Sequence, residues 1–197
     1  MATVQTSAPA VEPLTLADVK MHLRVDSNDE DPLLQSLIMT ARLHIEVALG
    51  LALVAQTWSC FFDRWPPAQN TAAEALVLPL SPVKSVDAIR VYADDGTYAA
   101  LPVAGFAIDL AGSRTRVVRR FDTQVPAPGR RLNGIEIAIT AGFGATPADV
   151  PAPIRQALLL LVAHWYEHRD PGEIGSVEAR VPAAVSTLLA PYLPVRL

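Results

Sequence analysis

The stretch VPAPIRQALLLLVAHWYEHRD, Val150 to Asp170, decides the architecture. Pro151 and Pro153 suit the first turn of a helix, where a missing N–H costs nothing, and Asp149 just before them is placed to cap it. Ile154, Ala157, Leu158, Leu161, Val162 and Trp165 recur at helical spacing, while Leu159, Leu160 and Ala163 make the opposite face apolar too. A helix apolar all round is a buried helix, and the uninterrupted apolar run is far short of the roughly 20 residues that cross a bilayer. The spacing therefore predicts a core helix that other elements wrap, with Trp165 in the core.

Working outward to the amino end, the first thirteen residues, rich in Ala, Ser, Thr and Pro, read as a flexible arm. Thr15 with Asp18 has the form of a capping box, and Leu14 with Val19 that of a hydrophobic staple, so a short helix should run to about Val25. After the acidic SNDED turn, Asp31 is expected as cap and Pro32 as first helical residue. Leu34, Leu37, Ile38, Ala41, Ile45, Ala48 and Leu49 form one stripe, and Gly50 is placed to end the helix.

From Leu51 the period changes from helical to strand-like. Strands are predicted over Val54–Asp63, Ala75–Leu78, Ser85–Ala93, Tyr98–Leu101, Phe106–Asp109, Thr115–Arg119 and Gly134–Ala141. Asp95-Gly96 between two such runs is a strong hairpin signal. A last short helix is expected over Pro182–Leu189. The reading is α+β: a helical core from residues 14–50 plus 146–190, a β-rich insertion over 51–145, and a tail over 191–197.

Composition bounds the function. Of 197 residues, 51% are hydrophobic and 18% charged, which suits a folded chain that buries a large core. A net charge of −4 argues against a general nucleic-acid binder. The single cysteine, Cys60, excludes an internal disulfide framework and fits a reducing compartment. The opening residues lack the basic and apolar regions of a signal peptide, so synthesis in the cytoplasm is expected.

Five pieces, in order, carry a resemblance: PLTLADVKMHLRVD from Pro13, LLQSLIMTARLHIEVALGLALVAQTW from Leu33, PLSPVKSVDAIRVYADDGTYAAL from Pro79, AGFGATPADVPAPIRQALLLLVAHWYEHRD from Ala141, and LLAPY from Leu188. Together they resemble the head-to-tail connector, or adaptor, proteins of tailed bacteriophages and of gene transfer agents, which are phage-derived particles. The resemblance implies a structural protein without cofactor or membrane partner. It would be made in the bacterial cytoplasm and would assemble with itself into a ring, usually of twelve. That ring would dock under the portal protein of a DNA-filled head and join it to the tail, a stopper or a tail terminator, with DNA passing only as non-specific cargo. The β insertion departs from the shortest, all-helical members.

Two sets of residues are candidates for partner contacts. In the tail, Leu188, Leu189, Pro191, Tyr192, Leu193 and Arg196 combine apolar anchors with prolines that hold the backbone extended, a composition suited to gripping a portal. The alternative is that the tail folds back on its own core. The second set is an arginine cluster: Arg114, Arg116, Arg119, Arg120, Arg130 and Arg131 lie within eighteen positions that hold one acid, Asp122. Its readings are docking to an acidic neighbouring subunit, with Arg114, Arg116, Arg119 and Arg120 foremost, contact with the DNA backbone, or a charged strand edge that resists aggregation.

One pattern points to a different class. His164, Glu167 and His168 fit the HxxEH arrangement of zinc hydrolases, but a further ligand is needed and only Glu173 and Glu178 follow as options. The competing account is a helix end where His168 and Arg169 favour the dipole. Cys60, within WSCFF, reads as packing, and AGFGAT lacks the lysine of a phosphate loop.

Overall fold

The computed structural model describes residues 1–66, 75–112, 114–168 and 182–193. They form an α+β protein of two compact units. One comprises Met1–Ala10 and Ala55–Phe143, the other Val11–Val54 and Gly144–Leu197.

The first unit is built on strands. Ala2–Ser7 (β1), Gln56–Phe62 (β2), Ile135–Ala141 (β8), Val83–Tyr92 (β4) and Tyr98–Leu101 (β5) form one antiparallel sheet in that spatial order. Leu76–Val77 (β3), Arg116–Arg119 (β7) and Phe106–Asp109 (β6) form a second. β8 is central, and Ile135, Ile137, Ile139 and Ala141 on it are fully buried, the alternation that a sheet covered on one face requires. β4 turns into β5 at Asp95-Gly96, where Gly96 takes φ 92° and Asp95 accepts hydrogen bonds from the N–H and hydroxyl of Thr97. Cys60 lies buried on β2, and burial pushes its thiol up to about 11.

β1 corrects the expectation of a flexible arm. Four of its six residues are polar and five are exposed, so no hydrophobic period announces them. What orders them is non-local: backbone pairing from Ala2–Phe61 to Ser7–Thr57, a Thr6–Thr57 hydroxyl contact of 2.8 Å, and a Gln5–Gln56 hydrogen bond.

The second unit is helical: Leu16–Leu23 (α1), Asp31–Leu49 (α2), Ala152–Glu167 (α3) and Ala183–Leu189 (α4). The Thr15–Asp18 capping box forms as its residues predict, and hydrogen bonds from the Thr15 hydroxyl and N–H hold the Asp18 carboxyl below the usual range. α2 starts one residue earlier than expected, with Glu30 as cap and Asp31 and Pro32 inside the first turn, and ends at Gly50 with φ 65°. Of its predicted stripe, Leu34, Ile38, Ala41, Ile45 and Leu49 are buried, Leu37 is half-buried and Ala48 is exposed.

α3 packs against α1, α2 and α4. Ile154, Ala157, Leu158, Leu161 and Val162 are buried, but Leu159, Leu160, Ala163 and Trp165 are only half-buried, so the helix is enclosed on one side rather than all round. Trp165 meets His44 edge-on at 5.7 Å instead of entering the core. Asp149 does not cap α3. It closes a capping box with Thr146 around a 3-10 turn, and Pro151 precedes the helix without a side-chain cap.

Arg42 and Glu46 are buried charges of this unit, and Arg42 sits at the centre of their network. Its guanidinium donates to Glu12 at 2.7 Å and to Glu46 at 2.9 Å, and Glu46 also accepts the Leu53 N–H at 2.8 Å. Burial alone would lower its pKa, but the two carboxylates outweigh that and raise it. Removing one partner of such a group strands the other charges. Arg42→Met should therefore cost about 3 kcal/mol, measured by urea titration of the helical signal.

Candidate functional site

The predicted arginines fall on and around the β6–β7 pair. Arg116 sits directly across from Asp109 and binds it through Nε at 3.0 Å. That guanidinium, together with the Ala111 N–H, holds the Asp109 carboxyl below its usual range. Arg119 lies on the other face of β7, beside a small cavity walled by Trp65, Leu76, Phe106 and Val117, where Trp65 stacks on Phe106 at 5.8 Å. Arg114 and Arg120 are exposed on either side of the strand. Arg130 is elsewhere occupied, its guanidinium 4.7 Å above the Tyr92 ring. Thus Arg116 and Arg119 point to opposite faces, and Arg116 has already taken an acid within its own hairpin.

Beside this cluster stands a residue that the sequence did not single out. Phe121, immediately after Arg120, is 97% exposed. An aromatic side chain left wholly in water on an otherwise polar turn is a docking signal.

The tail residues divide. Leu189 is buried with Val185, in α4, so it belongs to the core of its own unit. Leu188 and Tyr192 are half-buried, and Pro191 and Leu193 are exposed. Arg196 lies outside the described residues. The face offered outward is therefore Leu188, Pro191, Tyr192 and Leu193.

Comparison with known proteins gives this surface a context. Residues 13–92 match the family described as Phage gp6-like head-tail connector protein. The whole chain also superposes on solved particle structures. A chain in the virion of a native gene transfer agent particle is 27% identical with a TM-score of 0.80, and one in the neck of an empty particle computed with C6 symmetry is 26% identical with a TM-score of 0.82. A third, in the neck of a native particle computed with C12 symmetry, is 27% identical with a TM-score of 0.80, and each match covers 100% of this chain and 97% of the other. The family match and the full-length likeness to neck chains support a head-to-tail connector protein. No curated protein sequence matches it.

The matches indicate a structural protein and lend no support to a hydrolase built on the histidine pattern. His164 and His168 do come together, with ring centroids 4.6 Å apart, but His168 is past the last helical residue and its Nδ1 lies 2.9 Å from the His164 carbonyl oxygen. Among the described residues no three His, Cys, Asp or Glu side chains are grouped to hold a metal. Glu173 and Glu178 lie outside them. No described helix is long and apolar enough to cross a membrane.

The connector's most demanding polar site is structural. Glu136, on β8, is 6% exposed and accepts hydrogen bonds from the Ser59 hydroxyl at 2.6 Å, the Tyr92 hydroxyl at 2.6 Å and Arg90 at 3.0 Å. Burial raises its pKa, but these three donors together outweigh it, and the carboxyl titrates below the usual range. The same bond raises the Tyr92 phenol. Because the folded-state pKa is depressed, the stabilisation is complete above the unfolded value and fades as pH falls through the folded one. Glu136→Gln should lower stability by about 1–3 kcal/mol at neutral pH, and the gap to wild type should close on acidification below the usual carboxylate range, as read by denaturant titration at each pH.

Proposed function

We propose that the connector acts as one subunit of a ring that docks beneath a portal protein and joins the DNA-filled head to the tail or to a stopper. The observation that carries the reading is the full-length likeness to chains in the necks of gene transfer agent particles, one solved with C12 and one with C6 symmetry. Twelve copies is the number the former suggests. The work is mechanical: it needs surfaces that close by rotation and a grip on the portal, and no reacting group.

In this reading the tail supplies the portal grip through Leu188, Pro191, Tyr192 and Leu193, with Arg196 as its charge. Leu189 supports them from the core of α4. Arg114, Arg116, Arg119 and Arg120 face a neighbouring subunit, and DNA passes through the lumen without base-specific contact. Individually weak contacts suffice, because each subunit held on the portal raises the effective concentration of the next.

Deleting residues 190–197 should leave α1 to α4 folded and reduce portal docking at least a hundredfold in a titration against isolated portal rings, an effect of about 3 kcal/mol. Unchanged docking by the truncated chain would remove the tail from the account.

A further inference from the structure

No Asp, Glu, Lys or Arg is among the exposed residues of α2, whose polar ones are Gln35, Ser36, Thr40 and His44. Its exposed positions include Pro32, Leu33, Met39, Leu43 and Val47, with Val47 82% exposed, whereas Arg42 and Glu46 are turned inward and buried. A helix facing only water places its charges on that side. Here Arg42 and Glu46 are buried beside the apolar stripe while five further apolar residues stay outside, an exposed apolar patch of the kind that a partner covers.

A groove of about 560 Å³ lies beside the amino-terminal half of α2, lined by Leu14, Leu16, Pro32, Gln35, Ile38 and Met39 and edged by Glu12. Just before Pro32 comes the acidic turn with Asp26 and Asp29 exposed. The helical unit as a whole has twelve acids and seven bases, while the β unit has eight acids and nine bases, six of the latter between Arg114 and Arg131. The apolar groove thus lies on the acidic unit. The exposed aromatic residue Phe121, preceded by Arg119 and Arg120, lies on the basic one.

We propose that the Arg119–Asp122 turn of one connector copy docks on the α2 groove of the next, with Phe121 filling the groove and the adjacent arginines facing the Asp26–Asp29 turn. The two patches differ, so the contact is head-to-tail, the type that closes into a ring. The apolar plug supplies affinity, and the charge asymmetry sets register and suppresses pairing of like faces. The inference rests on the ring reading and gives that ring its contact surfaces.

Cysteine cross-linking tests it. The variant carrying both Asp122→Cys and Gln35→Cys, which leaves Phe121 and the apolar lining in place, mixed with isolated portal rings and oxidised, should give a ladder of multimers on a non-reducing gel that collapses with reductant. Cys60 does not compete, being buried with its thiol pushed up to about 11. Each single variant alone should stay monomeric, and the two singles mixed one to one should stop at dimers. Ladder formation should fall about tenfold between 50 and 500 mM salt. A ring seen by native mass spectrometry with no ladder would overturn this contact and leave the ring reading intact. Dimers from Asp122→Cys alone would overturn it in favour of a symmetric contact, and absence of any ring from the unaltered chain would remove the reading on which it stands.

Discussion

The helical unit depends on one buried guanidinium. Arg42 holds Glu12, two residues after the chain leaves the β unit, and Glu46, whose second oxygen takes the N–H of Leu53, two residues before the chain returns to it. A third passage is fixed nearby: Val54 bridges Gly144, and a Cβ on Gly144 would fall 2.2 Å from the Asp149 carboxyl carbon. Long β insertions are tolerated where their ends are anchored, because loop-closure entropy grows only slowly with length. The Arg42 network does that anchoring within the helical unit, at a desolvation cost that two carboxylates offset.

The β unit solves a similar problem on β8. Glu136 stands in a strand of buried isoleucines, and its charge is retained because Ser59 on β2 and Arg90 and Tyr92 on β4 all donate to it. One carboxylate therefore joins three neighbouring strands through side chains as well as backbone. Polar networks satisfied this fully favour one register over its slipped alternatives. In the proposed ring such rigidity would let the surfaces present the same geometry in every copy.

Much of the fold was legible because its signals are local. Alternation located seven strands, two of them, Tyr98–Leu101 and Phe106–Asp109, to the residue, and Asp95-Gly96 named its hairpin. Thr15, Asp18 and Gly50 placed helix ends through capping chemistry that acts over a few residues. What escaped was non-local. β1 is an exposed polar edge strand specified by its pairing with β2, so its own residues carry no period. The half-exposure of Leu159, Leu160 and Trp165 depends on which helices cover α3, and periodicity cannot report that. Among the proposed contact residues, the arginines and the tail stood out by composition. Phe121 did not, because a phenylalanine in a sequence is read as core until its exposure is known. The motif most suggestive of chemistry, the His164–His168 pair, was the least informative, since two ligands at helical spacing do not make a site.

The central claim is a ring of identical subunits on a portal. The most direct measurement is native mass spectrometry of this chain titrated against an isolated portal ring from the same source. The account predicts saturation at one connector per portal subunit, with sharply cooperative filling. Saturation at a single copy per ring, or no binding at low salt with the tail intact, would contradict it.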